Sequence, residues 1–109
     1  MLPLDIDVRT VKQMLDHGDK FMLLDCREHS EVATARIAGT THIPMREMSA
    51  RIAELGSKEE PIIVHCHHGG RSQRVTQFLR QQGFDKAQNM AGGIDAWSQE
   101  IDSTIPRYE

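Results

Sequence analysis

The chain has 109 residues, 39% of them hydrophobic and 27% charged, a balance that fits one globular domain spanning 1–109 and excludes a disordered tail. Its formal charge of -3 comes from 13 basic and 16 acidic residues mixed along the chain, and without a block of like charge nucleic acid is not an expected partner. The longest apolar runs, FMLL and PIIV, fall far short of the roughly 20 residues needed to cross a bilayer, so no membrane partner is expected either.

The start MLPLDIDVRT has neither the cationic opening nor the apolar block of an address segment. Two cysteines, Cys26 and Cys66, are too few for a disulfide scaffold and suit a reducing compartment, which makes the cytoplasm the expected location.

In chain order, Val8, Val11 and Leu15 recur at helical spacing between an N-cap at Asp7 and a stop at Gly18, predicting a short first helix. KFMLLDC is a continuous apolar run of the kind found in strands covered on both faces, and the polar turn REHSE follows it. TTHIP reads as a short β-branched strand ended by Pro44, after which Met45, Met48, Ile52 and Leu55 predict a helix closed by Gly56.

PIIVHC is the second strongly apolar strand, and Val75, Phe78 and Leu79 predict a helix from near Arg71 to Gly83. FDKAQNM reads as an edge or short strand, and the glycines of AGGIDAW precede a last helix with Ile94, Trp97 and Ile101 on one face. The tail STIPRYE has no periodicity. Strands alternating with helices, without repeats or linkers, predict a mainly parallel α/β sandwich, and in such sheets ligands gather at the carboxyl ends of the strands. Cys66 lies at one such end, and Asp25, Cys26 and Arg27 lie at another.

The connection VHCHHGGRS, residues 64–72, joins a buried strand to a helix. A nucleophilic cysteine must be a thiolate, and a helix N-terminus just beyond Cys66 can lower its pKa by presenting the backbone N–H groups of residues 67 to 72. Gly69 and Gly70 permit the turned backbone that such a cradle needs. Arg71 adds a guanidinium that can bind an oxyanion or brace a neighbouring carboxylate. The same residues also fit a tight turn around an inert, buried cysteine.

A metal site built from Cys66 with His65, His67 and His68 is a weaker reading. Adjacent residues rarely share one ion, His65 and Cys66 face opposite sides of a strand, and no CxxC or HxxxH spacing completes a tetrahedral set. His65 reads as a strand residue with a satisfied ring. His67 and His68 read as exposed loop positions that titrate near neutrality, either tuning charge at the mouth of the site or solvated without a role.

With these segments in view, the chain resembles a single-domain rhodanese, of the rhodanese-like sulfurtransferase family, along nearly its whole length. The matching residues are LLDCRE at 23–28, Glu31, Ile37, Gly39, HIP at 42–44, VHCHHGGRS at 64–72, GF at 83–84 and GGIDAW at 92–97. The resemblance implies a three-layer α/β sandwich whose parallel sheet of about five strands carries helices on both faces. It also implies a ping-pong reaction in which Cys66 takes sulfane sulfur from a small donor such as thiosulfate, or from a protein persulfide, and passes it to a thiol or cyanide acceptor.

By the same resemblance Cys66 and Arg71 are catalytic, the loop residues His67, His68, Gly69, Gly70 and Arg71 hold the terminal sulfur, and Asp25 and Arg27 brace the loop. Glu31 would pair with either Arg27 or Arg71. No cofactor is implied beyond the covalent persulfide on Cys66, and no metal. The family's six-residue loop, here Cys66 to Arg71, is shorter than the seven-residue loop of related phosphatases and arsenate reductases, whose chemistry is therefore the weaker reading. Gly92, Gly93 and Trp97 match as structural residues, and Met45, Met48 and Met90 read as packing.

Three alternatives stay open: a sulfur carrier that does not turn over, a redox-sensing module, and a metal-binding module. Two departures from the family bear on them. Arg36 adds a positive charge within Ala35-Arg36-Ile37, either attracting an anionic donor or merely solvated. Cys26 stands where an apolar residue is usual, and either packs or approaches the loop closely enough to form a disulfide with Cys66.

Overall fold

A computed structural model describes residues 1–109. Five parallel strands lie in the order β1-β5-β4-β2-β3: β1 (Asp5–Ile6), β2 (Met22–Asp25), β3 (Thr41–His42), β4 (Ile62–His65) and β5 (Ala87–Met90). Four helices connect or follow them: α1 (Val8–Asp16), α2 (His29–Thr34), α3 (Gly70–Gln81) and α4 (Gly93–Glu100). No helix is long and apolar enough to cross a membrane. The α/β architecture with a five-stranded parallel sheet is the expected one.

The period-2 alternation of buried strands divides the core in two. Leu24, Cys26, Ile62, Val64 and Cys66 face α3 together with Val75, Leu79 and Phe84. Leu23, Ile63 and Met90 face the other way, against Val8, Val11, Ile94 and Trp97 from α1 and α4. The two cysteines therefore share one side of the sheet. Asp25 and His65, paired in register, share the other.

Asp7 caps α1 as expected, its Oδ1 accepting from the Thr10 N–H at 2.8 Å. The apolar stripe runs through Val8 and Val11 toward the partly buried Met14, while Leu15, expected in the core, is 41% exposed. The polar segment after β2 is α2 rather than a turn, and the Glu28 N–H donates to Glu31 Oε1 at 3.1 Å, one half of a capping box that signals a helix start.

The helix expected over Met45–Leu55 is instead a pair of 3-10 turns, Met45–Glu47 and Ile52–Leu55. The apolar pairs Met45/Met48 and Ile52/Leu55 are three residues apart, the spacing that eclipses side chains in a 3-10 turn. Arg51 interrupts the run with φ -111° and ψ 14° and is held between Glu47 at 3.0 Å and Glu54 at 2.8 Å.

β5 is interior, flanked by β4 and β1. Its polar residues Gln88 and Asn89 disguise it, and the two-residue β1 that covers it is too short to show a period. A strand with a buried asparagine inside a sheet is unusual, and Asn89 serves the site described next.

Candidate active site

β4 delivers Cys66 at its carboxyl end, and the chain turns through His67–Gly69 into α3. Gly69 takes φ +115° at the N-cap of α3, a left-handed conformation that L side chains rarely adopt. That turn aims the Gly69 N–H at Cys66 Sγ, 3.1 Å away, with the Ser72 N–H at 3.5 Å. The Ser72 hydroxyl lies 3.3 Å from Sγ, and its single proton is shared among the sulfur, the Gly69 carbonyl at 3.2 Å and Asn89 Oδ1. Gly70, expected to share the turn, is an ordinary first residue of α3 with open space around it.

Cys66 is 1% exposed, and burial alone would suppress its ionisation. Its pKa is nevertheless held far below the usual thiol range, by the neighbouring Cys26 thiol first and then by Ser72 and Gly69. Cys26 moves the opposite way: its contact with Cys66 and its burial keep it protonated. Of the two sulfurs, Cys66 is the one held toward the thiolate. The N–H groups of His67, His68, Gly70 and Arg71 form no backbone hydrogen bond within the chain, and remain free to meet negative charge at the mouth of the loop.

The ionisation predicts an outcome. Thiolate absorbance, read as wild type minus Cys66→Ala, persists as pH falls well below about 8.5, where a free thiol protonates. It disappears only in the acid range, and Ser72→Ala moves the midpoint upward. A midpoint near that of free cysteine would contradict this account.

Arg71 does not point at the sulfur. Its two terminal nitrogens bind Glu31 at 2.6 and 2.8 Å, and this pairing holds the Glu31 carboxyl down at about 2. Arg71 is thus the brace of a carboxylate, one of its two expected roles, and Glu31 chooses Arg71 with its side chain while its backbone carbonyl accepts from Arg27 at 3.3 Å.

Asp25 and Arg27 are both 0% exposed, not a solvated pair. Arg27 binds Asp25 through Nε at 3.0 Å and Nη2 at 2.7 Å, and its other donors reach the Ala35 carbonyl, the Glu31 carbonyl and Tyr108 Oη. Every N–H of the guanidinium is used. Burial pushes the Asp25 carboxyl up, but the Arg27 bonds outweigh it and keep the group ionised.

Neither Asp25 nor Arg27 hydrogen-bonds a residue of the 66–71 loop. Their support runs through Tyr108, whose hydroxyl accepts from Arg27 at 2.9 Å and donates to Glu31 at 2.8 Å. The Tyr108 ring stacks on His67 at 4.0 Å and 10°. A tail without periodicity therefore supplies the link between the buried ion pair and the loop. No local signal marks it, since the link exists only once residues 77 positions apart meet.

The histidines depart from expectation. His65 is fully buried with neither ring nitrogen hydrogen-bonded, and burial drives its pKa down to about 4, so it is neutral rather than satisfied. His67 is only 9% exposed, enclosed between Tyr108 and the His68 ring at 4.0 Å and 25°. His68 is exposed, 3.7 Å from Asp95.

The donor atoms of His67, His68 and Asp95 come within 4.8 Å of one another. Ring nitrogens bind metals through lone pairs in the ring plane, and two nearly parallel stacked rings do not direct those lone pairs at one ion. Asp95 is moreover paired with Arg107 at 2.9 Å. Arg36 is exposed in a groove with Lys12, Trp97 and Ile105, away from the loop.

Gly93 does more than turn the chain. It has φ +60°, and a Cβ there would collide with the Cys66 and His67 carbonyls. This close approach lets the Ile94 and Asp95 N–H groups bind those carbonyls at 2.9 and 3.0 Å, so the start of α4 clamps the back of the loop. Gly93→Ala is expected to lower the initial rate of any Cys66-dependent reaction at least tenfold, a loss of about 1.4 kcal/mol or more; an unchanged rate would refute the clamp.

A buried cysteine at a strand's carboxyl end, its sulfur held toward the thiolate by N–H groups that open the following helix, defines an α/β protein with a cysteine-loop site. The chain matches the Rhodanese-like domain over residues 7–100, and it belongs to that family. It is 31% identical over 94 residues to a sulfurtransferase of Allochromatium vinosum, covering 86% of this chain and 87% of that protein. It is 33% identical over 76 residues to the thiosulfate sulfurtransferase GlpE of Coxiella burnetii, covering 70% of each.

Several curated relatives are longer, and the chain spans 23% to 50% of their length. Among solved structures, a rhodanese-related protein of Thermoplasma volcanium superposes with a TM-score of 0.81 at 27% identity, covering 91% of this chain and 94% of that one.

Proposed function

We propose that the chain is a sulfurtransferase that carries sulfane sulfur as a persulfide on Cys66. The observation that supports this most is the convergence of the Gly69 and Ser72 amides and the Ser72 hydroxyl on Cys66 Sγ, in a loop of six residues from Cys66 to Arg71. The names of the relatives from Allochromatium vinosum and Coxiella burnetii support the same chemistry.

In this reading the Cys66 thiolate attacks the outer sulfur of thiosulfate, the S–S bond breaks and sulfite departs with the electron pair. Cyanide or a thiol then attacks the outer sulfur of the persulfide and returns Cys66 as thiolate. The loop amides stabilise negative charge on the terminal sulfur. With Arg71 neutralised by Glu31, Arg71 acts by holding the loop rather than by attracting the donor, and no cofactor takes part.

Intact mass before and after thiosulfate tests the proposal, with one added sulfur expected on Cys66. No added sulfur from thiosulfate, nor from a protein persulfide, would overturn it. Loading from a protein persulfide alone would place the chain among sulfur carriers.

A further inference from the structure

Cys26 is a buried free thiol that the transfer reaction leaves unused. It directly follows Asp25, as Cys66 follows His65, and Asp25 and His65 are paired in register on adjacent parallel strands. The Cys26 N–H continues that ladder to the His65 carbonyl at 3.1 Å, and the Cys26 carbonyl accepts from Met45 N–H at 3.0 Å. Each cysteine is 1% exposed and both face the same apolar cluster. Neighbouring strands lie about 4.8 Å apart, inside the roughly 4.4 to 6.8 Å between Cα atoms that a disulfide spans.

We propose that Cys26 resolves the Cys66 persulfide, closing a Cys26–Cys66 disulfide and releasing the sulfane sulfur as hydrogen sulfide. The step rests on the sulfur-transfer reading above and gives the site a second outcome when no acceptor arrives. Cys26 Sγ attacks Cys66 Sγ, the bond from Cys66 Sγ to the outer sulfur breaks, and the electron pair leaves on that sulfur. The departing sulfur takes up the Cys26 proton and leaves as HS⁻, in equilibrium with hydrogen sulfide. The outer sulfur is reduced to sulfide while Cys26 is oxidised and Cys66 passes from persulfide to disulfide, so no external oxidant is needed. A dithiol reductant, by exchange, reopens the bridge.

The geometry favours the inner sulfur. Cys26 lies beside Cys66 on the sheet side, whereas the outer sulfur extends toward the loop amides, which stabilise it as a leaving anion. Burial disfavours the Cys26 thiolate, so its attack is slow near neutrality and quickens as pH rises. An acceptor that reaches the persulfide promptly takes the sulfur first.

The test loads the full chain with excess thiosulfate, removes the donor, and follows intact mass and released sulfide without acceptor or reductant. In the wild type the mass with one added sulfur is expected to give way to a mass two hydrogens below the reduced protein, with equivalent sulfide, a Cys26–Cys66 linked peptide, and renewed loading after dithiothreitol. Cys26→Ser and Cys26→Ala, each read only after loading is complete, are expected to retain the sulfur at least tenfold longer. A stable persulfide in the wild type, sulfide release without the linked peptide, or release at the wild-type rate from either folded variant would overturn the inference. No added sulfur in any of the three proteins, from thiosulfate or from a protein persulfide, would instead overturn the transfer reading and this step with it.

Discussion

Cys66→Ala is expected to abolish thiocyanate formation from thiosulfate and cyanide, reducing it to the uncatalysed background. The side chain removed is the group that accepts the Gly69 and Ser72 donors, and a methyl group offers neither nucleophile nor charge to them. The fold should survive, because the loop is also clamped from behind by the Ile94 and Asp95 amides and braced by Glu31 through Arg71. Far-ultraviolet circular dichroism and a urea midpoint close to the wild-type value are the expected controls. Wild-type turnover in a folded Cys66→Ala protein would refute the proposed function.

Arg27→Ala should produce the largest loss of stability of any single change considered. It leaves Asp25 buried and ionised without its partner, and breaking such a pair costs about 3 to 5 kcal/mol. It also strands the Ala35 carbonyl and removes a donor to Tyr108. Chemical denaturation measures the effect, and a shift below about 1 kcal/mol, the usual size for a solvent-exposed pair, would contradict the burial argument. Tyr108→Phe retains the ring on His67 while deleting two hydrogen bonds, and is expected to cost less, about 1 to 3 kcal/mol.

These two variants mark different degrees of legibility. Cys66 could be picked out along the chain because one short segment holds the end of an apolar strand, two glycines, an arginine and the start of a helix. Its donors, Gly69 and Ser72, lie within six positions of it. Asp25 and Arg27 could be placed at a strand end for a similar reason. Their complete burial was not visible, since charged residues in a polar-looking turn are ordinarily solvated. Nor was the choice of Glu31 between two arginines, a matter of which guanidinium faces it after α2 forms.

Three features depart from what their local pattern predicts. Met45–Leu55 carries apolar residues at intervals that fit an α-helix or a pair of 3-10 turns equally well. β5 has the composition of an edge strand because Asn89 is committed to Ser72 and Asp5. His67 appeared exposed because Tyr108, which covers it, arrives from the far end of the chain.

By itself the sequence determined most of the alternation of strands and helices, though not β1, α2 or the 3-10 turns of residues 45–55, together with the parallel α/β class and the junction that holds Cys66, because periodicity and a strand-loop-helix junction are encoded by neighbours. Tertiary structure alone decided what surrounds that cysteine: Cys26 at its side, α4 at its back, and Tyr108 tying Arg27 to Glu31. Each of these depends on segments distant in the chain meeting at the carboxyl ends of β2 and β4, and no local pattern records which ones will meet.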